Sequence, residues 1–522
     1  MMIKKYLMKL AAIFSCAMTI SVFTACTSDD NDNTASPDSP TEQTEYAILF
    51  YGYGGDNLDD CILKNMVDFY NGKEESYKKV KIACQYKYSS VEKLQENWLD
   101  NLFKDGDVDP STAEQVKLTK EMELQTVRFI VDNTVQDPDV NVLINKENIY
   151  GAKNCYVANA DSLTNFINWA AKACPAKHYI LIISDHGGGY QPHTDLTFEV
   201  PTRTRGVVFD KVHQPTTSFS ASSLKYAIGR ANARMDVVYL DACLMNTIEY
   251  QFELKDLTDY YILSTFVVPG AGGSYSLLID ELAKNTDDIE TTLKNFNKAS
   301  VEKWDKDAEA QVAAGIEDSK WDYHDMTVTR TKNLDAFGKK FKVFVDKLVA
   351  AYADESNKAK VDSITKYAFK VNNSLPGYDL VDYVEDIVNT LSDVYGDSFY
   401  YELATTFNNC LVSQYCSDFL MKKGLSVDCS VMLGVEGKYY IYNYDRKNPK
   451  KLDGYDIYYA DGKLEKYTTG VAEPEVTTWP STLENTYEQL AFDKATGWSR
   501  WLKLNKQLPA YDSPAQIHYP LE

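Results

Sequence analysis

The stretch YILIISDHGGGY, residues 179–190, decides the fold. An unbroken apolar run ends in Ser184-Asp185, and His186 is followed by Gly187, Gly188 and Gly189. Such a run, of strand length and without polar alternation, is expected of a strand covered on both faces in a parallel sheet. A second one, MDVVYLDAC at residues 235–243, ends on Cys243. Between them SASSLKYAIGRAN, residues 220–232, reads as a helix with a serine-rich start. After Cys243, LMNTIEYQFELKDL reads as a helix and YYILSTF, residues 260–266, as a third strand. Upstream, YAILFYGYGG (46–55) reads as a strand entering a glycine turn, DNLDDCILKNMVDFYN (56–71) as a helix and KKVKIACQY (78–86) as a strand. EMELQTVRFIVDNTV (121–135) suits a hairpin arm, and SLTNFINWAAKACPAKH (162–178) an amphipathic helix stopped near Pro175. Strand-helix-strand alternation predicts an α/β fold, a mostly parallel sheet with helices on its faces. Ligands of such sheets bind beyond the carboxyl ends of the strands. His186 and Cys243 both fall there.

The chain has 522 residues, 44% of them hydrophobic, with a formal net charge of -22. So acidic a surface repels phosphate backbones and argues against nucleic-acid partners. The N-terminus carries Lys4, Lys5 and Lys9, an apolar stretch over residues 10–23, and small residues before Cys26. This predicts a signal peptide over residues 1–25. It resembles a bacterial lipobox, which implies Cys26 as the lipidated first residue; Phe23 replaces the usual leucine, and an ordinary cleaved signal is the alternative. TSDDNDNTASPDSPTEQTE (27–45) is polar and acidic, so residues 26–44 are expected to form a disordered tether. Acidic residues after the lipidated cysteine resemble the surface-export signal of Bacteroidetes lipoproteins, which implies an outer-membrane, cell-surface location. The ten cysteines have no repeating spacing, and most are expected as small buried hydrophobes. Cys410, Cys416 and Cys429 are close enough in sequence to pair, but nothing requires it. No CxxC pair or HExxH supports a zinc site.

A cysteine and a histidine at neighbouring strand ends make a nucleophile and a base. Histidine takes the thiol proton and returns it to the leaving amine. The developing oxyanion needs donors, and backbone N–H groups serve where the chain approaches closely, as glycine permits. Gly187 and Cys243 are the candidate oxyanion donors. HGGG is also an esterase oxyanion motif, but that chemistry requires G-x-S-x-G. The nearest stretches, GGSYS (272–276) and GLSVD (424–428), do not close with glycine.

The paired endings S-D-H-G and D-A-C resemble the clan CD cysteine peptidases, and the further details resemble the clostripain family. YAILFYGYGGDNLDD resembles the family's opening strand and turn, and residues 158–190 its approach to the histidine. GVVFD and VVYLDACLMNTIEYQFEL resemble the nucleophile block, and STFVVPGAGGSY the proline-glycine loop. DLVDYVEDI and YEQLAFDKATGWSRWL resemble a later helix and a C-terminal tryptophan motif. The resemblance spans about residues 45–502. It implies a caspase-like α/β/α sandwich over residues 45–300, with a helical and β-rich C-terminal region over 301–522.

By position, the resemblance makes Cys243 the nucleophile and His186 the general acid and base, acting on protein or peptide substrates through a thioester. Asp241 matches an aspartate near the S1 pocket, with a strand-end cap as its plainer reading. Relatives that cut after Arg or Lys carry an acidic residue where Ala271 stands, between Gly270 and Gly272. A buried P1 cation would lack that partner, so P1 Arg or Lys and a small or apolar P1 residue both remain open. PTRTRG (201–206) suits either a maturation site or a plain surface loop. Calcium is implied by some relatives only, since no DxDxDG-like loop occurs. His178, His193, His213, His324 and His518 read as surface or packing residues. The tyrosine-rich GKYYIYNYDRKN and YDIYYADGKLEKY read as hairpin strands rather than a glycan platform. The alternative to an enzyme is a non-catalytic surface lipoprotein that keeps the fold and binds proteins or glycans.

Overall fold

The computed structural model describes residues 43–54, 58–87, 126–133, 157–189, 207–210, 217–270, 272–313, 324–368, 377–417, 432–434, 438–445, 448–459, 464–468 and 490–505. In chain order the strands are β1 (Thr44–Tyr53), β2 (Val80–Lys87), β3 (Thr126–Ile130), β4 (Ala176–Ser184), β5 (Val207–Asp210), β6 (Thr217–Phe219), β7 (Val237–Asp241), β8 (Tyr260–Leu263) and β9 (Asp325–Arg330). They continue with β10 (Gly377–Asp379), β11 (Leu411–Cys416), β12 (Met432–Gly434), β13 (Lys438–Asp445), β14 (Asn448–Tyr459) and β15 (Leu464–Thr468).

Eight strands form the central sheet in the order β11-β9-β8-β7-β4-β1-β2-β3. The middle five are parallel. β3 closes one edge antiparallel to β2, while β9 and β11 add antiparallel steps at the other. The hairpin arm expected near residue 121 is β3. The mostly parallel α/β sheet is as expected, and its two faces are both buried.

Strand alternation feeds two separate cores. Leu49, Tyr51, Leu181, Ile183, Val238 and Leu240 point into one; Ile48, Phe50, Ile180, Ile182, Val237 and Tyr239 point into the other. Each fully buried aliphatic side chain contributes about 1.5–3 kcal/mol, which explains why β4 tolerates no polar residue between Ile180 and Ile183. The first core is covered by helices including Ala160–Ala173, Ala221–Gly229, Ile248–Leu254 and Leu334–Ala351; Asp59–Asp68, Tyr275–Lys284 and Ile289–Ala313 cover the second. Helix starts follow capping chemistry: Asn159 accepts from the N–H groups of Asp161 and Ser162, and Thr247 from that of Tyr250. At the base of the sheet Asp236 accepts from the Tyr179 N–H at 2.8 Å and faces His178 Nδ1 at 3.0 Å.

The boundary expected near residue 300 falls inside helix Ile289–Ala313, and residues beyond it supply β9 and β11 to the same sheet. The C-terminal motif is also built in. Phe492 lies edge-on to Phe252 with centroids 5.2 Å apart, and Trp498 packs 5.6 Å from Phe341. The tyrosine-rich stretch forms an antiparallel three-stranded sheet, β13-β14-β15. Cys84, Cys174 and Cys410 are buried, and none of the six described cysteines forms a disulfide. Among the described residues no helix is long and apolar enough to cross a membrane.

Candidate active site

The site grows from the register of two strands. Ser184 of β4 pairs with Asp241 of β7. His186 and Cys243 therefore each lie two residues past the same rung, on strands about 4.8 Å apart. The chains then close further. A Cβ on Gly187 would overlap the Cys243 carbonyl oxygen and lie 2.9 Å from its amide nitrogen. Only glycine allows that approach. Gly189 also has φ 78°, a conformation that favours glycine. The return segment β5 steadies this side, with the Val208 N–H donating to the His186 carbonyl at 3.3 Å.

The turn that carries Cys243 is held by the segment following β8. The sequence suggests a strand through Phe266, but the ladder stops at Leu263. Residues 264–268 leave the sheet to line the turn. The Val268 N–H donates to Cys243 Sγ at 3.3 Å, the Leu244 N–H to the Phe266 carbonyl at 3.0 Å, and the Asn246 N–H to the Ser264 carbonyl at 2.9 Å. Leu244 has φ 65°, a left-handed residue directly after the candidate nucleophile, at a cost of about 1–2 kcal/mol. Behind the turn Asn246 donates to Thr265 Oγ1 at 2.9 Å, and Gln251 donates to Asn246 Oδ1 at 2.8 Å. Desolvation pushes the Cys243 thiol up to about 11, against the Val268 hydrogen bond and with Asp241 and Asp185 adding to the rise. Burial thus favours the thiol over the thiolate at this sulfur.

Asp241 is 4% exposed, and its carboxylate is engaged inside the protein. Tyr239 donates to Oδ1 at 2.8 Å, Tyr275 to Oδ2, and Ser184 to Oδ2 at 3.4 Å. Burial raises its pKa, opposed by these hydroxyls and by Lys303. Ala271 lies outside the described residues, as do Cys26 and residues 201–206. The flanks of the proline-glycine loop are anchored. Asn65 donates to the Gly270 carbonyl at 3.2 Å, and Trp304 Nε1 to that of Gly272 at 2.8 Å. His324 is buried, with its ring 5.6 Å from that of Trp304. Among the described residues no group of three or more His, Cys, Asp or Glu side chains converges to hold a metal ion.

The sequence reading missed Val268, Thr265, Asn65, Trp304 and Asp325. Asp325 is fully buried, and its Oδ1 accepts from the N–H groups of Thr265 at 2.7 Å and Phe266 at 2.9 Å. An acidic residue at the head of a short strand, where Met326 and Val328 alternate with threonines, was its only visible signal.

A family model described as the Clostripain family matches residues 114–503, most of the chain. This chain belongs to the clostripain family. A search of curated proteins found no match. Among solved structures, a secreted cysteine protease from Bacteroides thetaiotaomicron in complex with an irreversible peptide inhibitor superposes with a TM-score of 0.50 at 14% identity. That match covers 87% of this chain and 99% of the other. Iotapain, a secreted cysteine protease from the same organism, matches at TM-score 0.48 and 17% identity, over 72% of this chain and 87% of that one. An inactive zymogen from Parabacteroides distasonis gives 0.44 and 13%, over 87% of this chain and 98% of that one. The chain is thus a clostripain-like cysteine peptidase built on a mostly parallel α/β sheet.

Proposed function

We propose that this peptidase is an endopeptidase working through a Cys243–His186 dyad. His186 takes the thiol proton, the sulfur attacks the scissile carbonyl, and the N–H groups of Gly187 and Cys243 receive the oxyanion. His186 then protonates the leaving amine, and water hydrolyses the thioester. The observation that carries this reading is the approach of the Gly187 backbone to that of Cys243, which only glycine permits. The raised thiol pKa fits it too, since a protonated resting sulfur requires a neighbouring base.

The carboxylate of Asp241, already satisfied by three hydroxyls, favours a small or apolar P1 residue over Arg or Lys. Residues 1–25 act as an export signal, Cys26 as the lipid-bearing first residue, and 26–44 as a tether to the outer membrane, facing the cell exterior. Residues 201–206 are the candidate maturation site. The test is cleavage of fluorogenic peptides varied at P1 by the wild type and by Cys243→Ala. Turnover that vanishes in the variant, with an uncharged P1 preferred, is the expected result. No turnover and no alkylation of Cys243 by a peptidyl ketone would return the chain to the non-catalytic, protein- or glycan-binding alternative.

A further inference from the structure

We infer that Asp325 is a positioning residue for the nucleophile, acting through the segment 264–268. The inference rests on the peptidase reading above. Three bonds tie that segment to the turn of Cys243: Val268 N–H to Sγ, Leu244 N–H to the Phe266 carbonyl, and Asn246 N–H to the Ser264 carbonyl. None of the three belongs to the sheet ladder, because β8 ends at Leu263. What fixes the segment on its far side is a single carboxylate oxygen. Asp325 Oδ1 accepts from both Thr265 and Phe266, at 2.7 and 2.9 Å. The backbone of Phe266 is thus held from two directions, its N–H by Asp325 and its carbonyl by Leu244.

Two further features separate this carboxylate from an ordinary structural cap. Asp325 is fully buried, and its Oδ2 lies outside the two backbone bonds that Oδ1 accepts. Leu244 is also kept in the left-handed region. Such strain persists only where the surroundings over-determine it. Loosening residues 265 and 266 lets that turn relax and shifts Sγ away from its attack position.

Kinetics per competent site test this in the full chain. Wild type, Asp325→Ala and Asp325→Asn are titrated with an irreversible peptidyl ketone that counts reactive Cys243, and peptide turnover is divided by the titrated sites. Asp325→Ala is expected to lose roughly 10- to 100-fold in kcat per site, with KM within about threefold. Asp325→Asn, which keeps one acceptor oxygen, recovers most of that loss. Unchanged kcat per site in the alanine variant, a loss confined to KM, or an asparagine variant as poor as alanine overturns the inference. If the alanine variant does not fold, amide exchange in the asparagine variant decides. Slow exchange at Thr265 and Phe266 together with retained turnover supports the inference, whereas fast exchange with retained turnover, or lost turnover with slow exchange, overturns it. A wild type that neither turns over nor reacts at Cys243 sinks the peptidase reading itself.

Discussion

At the scale of single residues the site depends most on Gly187. A methyl group there has no room against the Cys243 carbonyl, so Gly187→Ala must push the two strand ends apart. The expected cost is about 100-fold or more in kcat/KM, the scale of losing one oxyanion donor, with far-ultraviolet circular dichroism unchanged. Steady-state kinetics beside the spectrum check it, and near-wild-type turnover would contradict the packing described. This part of the site was legible in the sequence. Continuous apolar runs announce doubly buried strands, and the residues just past the breaks at Asp185 and Asp241, His186-Gly187 and Ala242-Cys243, stand at the strand ends. Asp241 was only half legible. Its position placed it beside the nucleophile, but nothing in the string reveals that Tyr239, Tyr275 and Ser184 converge on its carboxylate. Tyr275 is 34 residues away in sequence.

At the scale of elements, β8 and β9 show where reading from sequence stops. The letters of residues 260–266 describe a strand to its end, yet the last three residues serve the turn of Cys243. There they meet Asp325, which accepts from the backbone amides of Thr265 and Phe266, groups present in every residue and therefore silent in a sequence. The same carboxylate couples stability to pH. Burial, opposed by the hydrogen bonds from Phe266 and Thr265, raises its pKa to about 6. Between about pH 4 and pH 6 the folded state then holds a proton that the unfolded chain has released. The contribution to stability is fully present below about pH 4 and lost as pH rises through about 6. Wild type should therefore lose up to about 3 kcal/mol relative to Asp325→Asn between pH 4 and pH 7. Denaturant unfolding of both proteins across that range measures it; parallel curves would show that the group titrates normally. The ionised form, the better acceptor for two amides, is thus kept at neutral pH at some expense of stability.

At the scale of the whole molecule, residues 490–505 are packed onto the body that carries Cys243. Phe492 reaches Phe252 on the helix that follows Cys243, the Ala491 N–H donates to Glu253 at 2.8 Å, and Trp498 is fully buried. Trp498→Ala should cost about 3–5 kcal/mol, seen as a lower melting temperature with kcat per titrated site unchanged; an unshifted melt would mean that the tryptophan does not support the core. Two tryptophans near the end suggest from sequence that this motif packs onto the domain, but not against which residues, because amphipathic helices such as Leu334–Ala351 reveal that a face is buried and not what buries it. The order of strands along the chain carries one more consequence. β9 and β11 are made well after Cys243, yet they complete the edge beside β8. A chain emerging from its N-terminus presents its cysteine before the carboxylate of Asp325 exists to seat it. On the positioning role proposed for Asp325, the growing chain works below its full rate until β9 has been made.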